Sequence, residues 1–153
     1  AHNLNNVNIL NNLRDGLPFP YTEKDAEDYI TSMLSADKSN TFAFAIVADG
    51  RVIGSIGVFR CDNIHSRTAE MGYYIGEPYR GNGYTTSAVQ QACQYVFEHS
   101  DIFRFFSDPF ARNERSCRVL EKAGFQYEGT LRSNAVKNGE ILDMQLYAMI
   151  KEC

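Results

Sequence analysis

The spacing of apolar residues along this chain changes several times, and each change marks an element. Residues 1–20 are polar and Asn-rich and close on Gly16, Pro18 and Pro20, so any helix there is short and ends before Pro18. Thr22 and Asp25 have the spacing of a capping box, and Ala26, Tyr29, Ile30, Met33 and Leu34 recur at helical intervals. This predicts an amphipathic helix lying on a partner surface. Phe42 to Ala48 and Arg51 to Phe59 are apolar, partly β-branched runs joined by Asp49-Gly50, which predicts an antiparallel hairpin. Ala69 to Ile75 reads as a third strand after a polar loop from Cys61 to Thr68. Ala88, Val89, Ala92, Cys93, Val96 and Phe97 then form one helical stripe.

Ile102 to Phe106 is a short aromatic strand stopped near Asp108-Pro109. A further helix starts at Asn113, a favoured N-cap, with Ser116, Val119, Leu120 and Ala123 on one face and Gly124 as its C-terminal cap. Phe125 to Lys137 and Ile141 to Ile150 flank Asn138-Gly139, a second hairpin signal. The order is one helix, three strands, a helix, a strand, a helix and two strands. That order predicts an α+β, or mixed α/β, fold in which a central, mostly antiparallel twisted sheet carries helices on both faces. No repeat or linker divides the chain, so residues 1–153 are expected to form a single domain.

Composition sharpens the class. With 44% hydrophobic and 22% charged residues, the chain has material for one core and lacks the depletion that marks disorder. A net charge of -4 argues against a broad nucleic-acid surface and accommodates a small cationic or amine partner. Cys61, Cys93, Cys117 and Cys153 lie far apart, as do His2, His65 and His99, so no metal site is expected and the cysteines read as reduced thiols. No apolar run approaches the roughly 20 residues of a membrane helix, and the start lacks the pattern of a secretory signal. The expectation is a cytoplasmic protein without nucleic-acid or membrane partners.

The chemistry concentrates in the stretch from Tyr73 to Thr86, a strand running through Arg80-Gly81-Asn82-Gly83 into a helix. Two glycines there let the amides from Gly81 to Thr85 converge on one anion at the positive end of the helix, and a diphosphate fits such a cradle. By themselves, two glycines more often mark a loop that only reverses the chain. A P-loop is excluded because no Gly-Lys-Ser/Thr follows, and a Rossmann fingerprint because its third glycine is missing.

The run resembles the pyrophosphate-binding motif R/Q-x-x-G-x-G/A of the GNAT N-acetyltransferase superfamily, matched by Arg80, Gly83 and, imperfectly, Thr85. Asn113-Glu114-Arg115-Ser116, Leu120-Glu121-Lys122-Ala123-Gly124-Phe125 and Glu128-Gly129-Thr130-Leu131-Arg132 resemble the signature of the branch that holds ribosomal-protein N-terminal acetyltransferases. Phe19 to Ala26 resembles that branch's first helix entry, so the likeness spans about residues 10 to 150. It implies acetyl-coenzyme A as donor and a primary amine as acceptor, foremost a protein N-terminal α-amine, with direct attack in a ternary complex. It also implies cofactor binding by Ile75, Gly76, Arg80, Gly81, Asn82, Gly83, Tyr84, Thr85, Asn113 and Ser116. Among these, Asn113 is expected to hold the pantetheine arm, and the oxyanion donor is expected to be a backbone amide at a bulge near Ile75.

Two features depart from the family. No strand is legible ahead of Asn11, so the first strand of the family's sheet is expected to be missing and the chain truncated at its N-terminus. The tyrosine that many members use to protonate the departing thiolate is replaced by Leu120. An amine with a pKa of about 10 must lose a proton before attack, and Glu70, within Ala69-Glu70-Met71-Gly72-Tyr73, matches the family's candidate base. The competing reading is an exposed carboxylate at a strand end. Ser116 is the candidate donor to the thiolate, and alternatively only completes the first turn of a helix capped by Asn113. Asp62, Glu140 and Asp143 fit either an anionic groove or plain solvated surface, and Tyr73 and Tyr74 fit either core or substrate wall.

Two other functions remain open on the sequence. One is acetylation of a small-molecule amine such as a polyamine, amino sugar or amino acid, and the other is a non-catalytic acyl-coenzyme A-binding module, kept open by Leu120. A monomer and a homodimer are equally compatible with the chain.

Overall fold

The two Gly-containing hairpins anchor the opposite ends of one sheet. In the computed structural model, which describes residues 1–152, β1 (Thr41–Ala48) and β2 (Arg51–Arg60) are joined by Asp49 and Gly50. Both residues take positive φ, 50° and 73°, as a two-residue hairpin turn of this kind requires. Asn138 and Gly139 repeat that geometry, at 52° and 76°, between β5 (Gln126–Lys137) and β6 (Glu140–Ile150). The six strands run in the order β1-β2-β3-β4-β6-β5, with β3 at Thr68–Ile75 and β4 at Arg104–Ser107. All neighbours are antiparallel except β3 and β4. That parallel pair needs a crossover, supplied by α3 (Tyr84–His99).

Helices cover both faces, as expected. Against one face, α3 and α4 (Glu114–Ala123) bury Val89, Ala92, Cys93, Val96, Leu120 and Ala123 onto Ile56, Val58, Ala69, Met71, Ile75 and Phe105 of the sheet. Against the other, Leu4, Ile9 of α1 (Val7–Leu10) and Tyr21 pack with Tyr74 and with Ala26 of α2 (Glu23–Ser35). Alternation along β3 decides which face each residue meets: Ala69, Met71, Tyr73 and Ile75 look toward α3 and α4, and Glu70 and Tyr74 look the other way.

The most consequential feature is where β3 and β4 part. Their parallel register covers Thr68↔Arg104, Ala69↔Phe105 and Glu70↔Phe106 and then stops, although β3 continues to Ile75 against β2. The sheet is therefore split beyond Glu70, with α3 rising from the end of β3 and α4 following β4.

Several boundaries differ from the sequence reading. The strand expected over 102–106 lies at Arg104–Ser107, because Ile102 is instead drawn into the core with its amide on Ser100 Oγ at 3.2 Å. The capping box of α2 forms as read, yet no α2 residue is fully buried, and Ile30 and Leu34 stay 55% and 74% exposed. Its apolar stripe borders an open cleft instead of closing on the sheet. No bulge interrupts β3, whose register against β2 is regular from Ala69 to Ile75; the irregularities fall in β2, where Ile53 has no partner on β1, and in β5. Ahead of α2 the described residues form short helical turns and no strand.

Leu120 has no exposure to solvent and sits in the main core. Leu120→Ala is expected to cost about 2–5 kcal/mol, because it removes buried methyl groups and leaves a cavity. Chemical denaturation of the two proteins checks this: a loss well under 1 kcal/mol would show that α4 does not rest on this side chain.

Candidate functional site

The turn between β3 and α3 has the construction of an anion site. Gly81 and Gly83 adopt left-handed φ of 81° and 78°, and a Cβ added at either would meet nothing within 4 Å. The glycines are thus required by backbone conformation, and their open side faces the cleft. Asn82 braces the turn through its side-chain amide, which donates to the carbonyls of Tyr79 and Arg80 at 3.3 and 3.4 Å.

Helix α2 is capped by Thr22 and α4 by Asn113, whereas α3 begins at Gly83 with no side-chain cap. Its first backbone bond runs from the Ser87 amide to the Gly83 carbonyl, so the amides of Tyr84, Thr85 and Thr86 lack intrahelical acceptors. Arg80 lies close to Arg115 at the start of α4. Burial and the Arg115 charge both make Arg80 harder to keep protonated, with Glu77 acting oppositely. An anion between the two arginines and the bare helix end would relieve that repulsion.

From this cradle the split runs back along β3. The Gly76 amide donates to the Ile53 carbonyl at 2.7 Å, continuing the β2 ladder. Strand alternation then turns the N–H and C=O of Ile75 and Tyr73 toward the β4 side, where no strand pairs with them among the described residues. Ile75 therefore offers its amide to the split without a bulge, and the Gly76 amide is committed elsewhere.

Across the split, the Tyr73 hydroxyl lies 2.7 Å from Ser116 Oγ, and the Ser116 amide donates to Asn113 Oδ1 at 3.3 Å. Burial holds the Tyr73 phenol well above its ordinary pKa, so it remains a proton donor over the physiological range. Leu120, one turn further along α4, is enclosed in the core and brings no group to the split.

On the opposite face of β3, Glu70 meets Arg14 of the N-terminal segment in an ion pair, and Arg14 also reaches Asp108 at 3.5 Å, just beyond the end of β4. Burial raises the pKa of Asp108, and the Arg14 charge opposes the rise. Glu70 is thus partnered by Arg14 and only partly exposed.

One cleft of about 2150 Å³ contains this whole arrangement, lined by Glu70, Ile75, Arg80, Gly81, Gly83, Tyr84, Thr85, Asn113 and Ser116. Its size exceeds the 300–1,000 Å³ typical of single small-ligand pockets, leaving room for two substrates. Gly76 and Asn82 support the turn from outside the lining. Tyr74 packs with the N-terminal cluster and still borders the cleft, so core and wall are the same residue.

The anionic groove sketched from Asp62, Glu140 and Asp143 does not assemble. Asp62 and Asp143 lie off the cleft, Asp143 accepting the Ser133 amide at 2.7 Å, and Glu140 is paired with Arg112. Arg14, Asp108, Arg115 and the Tyr73 hydroxyl are the site residues that sequence reading missed. No local motif marks them, because each joins the site through contacts distant in sequence. No group of residues suited to a metal ion occurs among the described residues, and no helix is long and apolar enough to cross a membrane.

The chain matches the family described as "Acetyltransferase (GNAT) domain" over residues 7–126. It is 34% identical over 117 residues to the probable N-acetyltransferase YjcK of Bacillus subtilis, covering 76% of this chain and 65% of that protein. It is 28% identical over 97 residues to spermidine N(1)-acetyltransferase of Escherichia coli, covering 63% and 52% respectively. The chain thus spans less than two thirds of the length of both these curated relatives. Among solved structures it superposes with RimL, a ribosomal L7/L12 alpha-N-protein acetyltransferase in complex with coenzyme A. The TM-score is 0.85 at 21% identity, over 97% of this chain and 84% of the other, which shows a shared fold.

Proposed function

This chain belongs to the GNAT acetyltransferase family, and from that premise we propose that it moves an acetyl group from acetyl-coenzyme A to a primary amine, foremost the α-amine of a protein or peptide N-terminus. One observation carries the proposal. A partnered carboxylate, Glu70, and a hydroxyl pair, Tyr73 and Ser116, stand on opposite faces of one strand, and the split beyond Glu70 connects the two faces.

The donor's residues fit the group they would hold. The bare amides of Tyr84, Thr85 and Thr86, with Gly81, Gly83, Arg80 and Arg115, would take the diphosphate, and Asn113 with the free edge of Tyr73 and Ile75 would take the amide-bearing arm. When bound, acetyl-coenzyme A supplies an activated thioester carbonyl. On the acceptor face, Glu70 removes the proton that keeps an ammonium from attacking. The Ile75 amide is the preorganised donor toward developing oxyanion charge. Ser116, bonded to Tyr73, donates toward the thiolate in place of the tyrosine that Leu120 replaces.

The α-amine preference is supported by the resemblance to the ribosomal-protein branch and by the fold shared with RimL; the spermidine relative keeps the small-molecule acceptor as the second reading. Thiol release from acetyl-coenzyme A with N-terminal peptides, polyamines and amino sugars tests both. Peptides are expected to be the productive class. Release with polyamines alone would establish the second reading, and tight coenzyme A binding with no release would make the chain a binding module.

A further inference from the structure

We propose that Arg14 determines acceptor specificity: by cancelling one of two carboxylate charges at the split, it fits the acceptor site to a single ammonium and against a polycation. The inference rests on the acetyltransferase reading above and deepens it.

The acceptor face of the split presents two carboxylates, Glu70 and Asp108, and the Arg14 guanidinium bridges them. Arg14 engages Glu70 through Oε1 alone, and Oε2 has no hydrogen-bond partner among the described residues. One carboxylate oxygen therefore stays available to an incoming amine while Arg14 remains in place. Nearby, Arg112 is paired with Glu140 at 3.2 Å and Lys137 with Asp15 at 2.7 Å. The cluster around Glu70 itself sets two carboxylates against one guanidinium, so it presents a single net negative charge to the acceptor. A lone α-ammonium neutralises it. A polyamine brings further ammonium groups that find no free carboxylate here and stand close to Arg14.

Arg14 is also held where this matters. The Arg112 guanidinium donates to the Asn11 carbonyl at 2.8 Å, the Asn138 amide donates to Asn11 Oδ1 at 3.2 Å, and the nearly buried Lys137 ties down Asp15. Residues 11–15 are thereby strapped across the β5–β6 hairpin, and the guanidinium has a fixed base from which to reach Glu70.

The test compares the full chain with Arg14→Gln and Arg14→Lys, using a neutral N-terminal peptide and spermidine as acceptors. In Arg14→Gln, kcat/KM for spermidine relative to the peptide is expected to rise about tenfold, and Arg14→Lys to restore the original ratio, since a second unpaired carboxylate attracts extra positive charge. The gain should shrink as salt is raised. Calorimetric binding of spermidine to the coenzyme A complex reads the same charge without turnover and is expected to tighten about tenfold in Arg14→Gln. An unchanged acceptor ratio together with unchanged spermidine affinity overturns the role of Arg14. Tightened spermidine binding with no turnover of any amine by the unaltered chain would support Arg14 and overturn the transferase reading alone.

Discussion

Gly83→Arg is expected to abolish coenzyme A binding while the protein stays folded. The variant places a non-glycine residue at φ of 78°, a left-handed conformation that costs about 1–2 kcal/mol, modest against the 5–15 kcal/mol stability of a typical domain. Its Cβ is accommodated, since nothing lies within 4 Å of a Cβ built there. The longer side chain is expected to compete for the cleft space that Gly83 shares with Tyr84, Thr85 and Thr86, whose amides no side chain caps. Losing several charge-assisted hydrogen bonds, each of about 1.5–3 kcal/mol, should weaken affinity by more than about a hundredfold. Gly83→Ala imposes the same backbone strain with only a methyl group and should lose far less. Calorimetric titration with coenzyme A, alongside thermal unfolding of each variant, separates the two effects. Affinity retained in Gly83→Arg would mean that the glycine turn is only a chain reversal.

What the sequence made legible was local. Asp49-Gly50 and Asn138-Gly139 announce their hairpins because both positions of each turn need positive φ, and they take it. Thr22 and Asp25 close their capping box within three residues, and Gly124 ends α4 at φ of 105°. The anion turn was legible for the same reason, as a glycine pattern confined to one strand-to-helix junction. The strand order and the place where β3 and β4 part are set by pairing across the whole chain, and no local pattern records them. Arg14 reaches Glu70 across 56 positions and Asp108 across 94. Tyr73 meets Ser116 across 43, so neither partner signals the other in a sequence window. Asp62 and Asp143 show the reverse failure: acidic residues that look available in sequence are turned away from the cleft, one to a short helical turn and the other to the β5 irregularity.

The second large effect is expected at Glu70. Glu70→Gln should lower kcat/KM by about 10²–10⁴ and leave coenzyme A affinity nearly unchanged, because it removes proton acceptance and one charge at the acceptor end of the split. Glutamine keeps the shape of the side chain and a carbonyl oxygen that still accepts from Arg14, so the ion pair is reduced to a hydrogen bond and the N-terminal strap retains its other ties. The cradle at α3 belongs to the other end of the split, beyond Ile75, and should not register the change. Asp108 supplies the discriminating control. It shares Arg14 with Glu70, borders the same cleft, and has a pKa raised by burial, the property expected of a base working near neutral pH. If Asp108→Asn lost 10² or more and Glu70→Gln lost nothing, proton removal would belong to Asp108 and Glu70 would serve only to hold Arg14. If both losses were large and the double variant were no worse than either alone, the two carboxylates would act as one unit around the acceptor nitrogen.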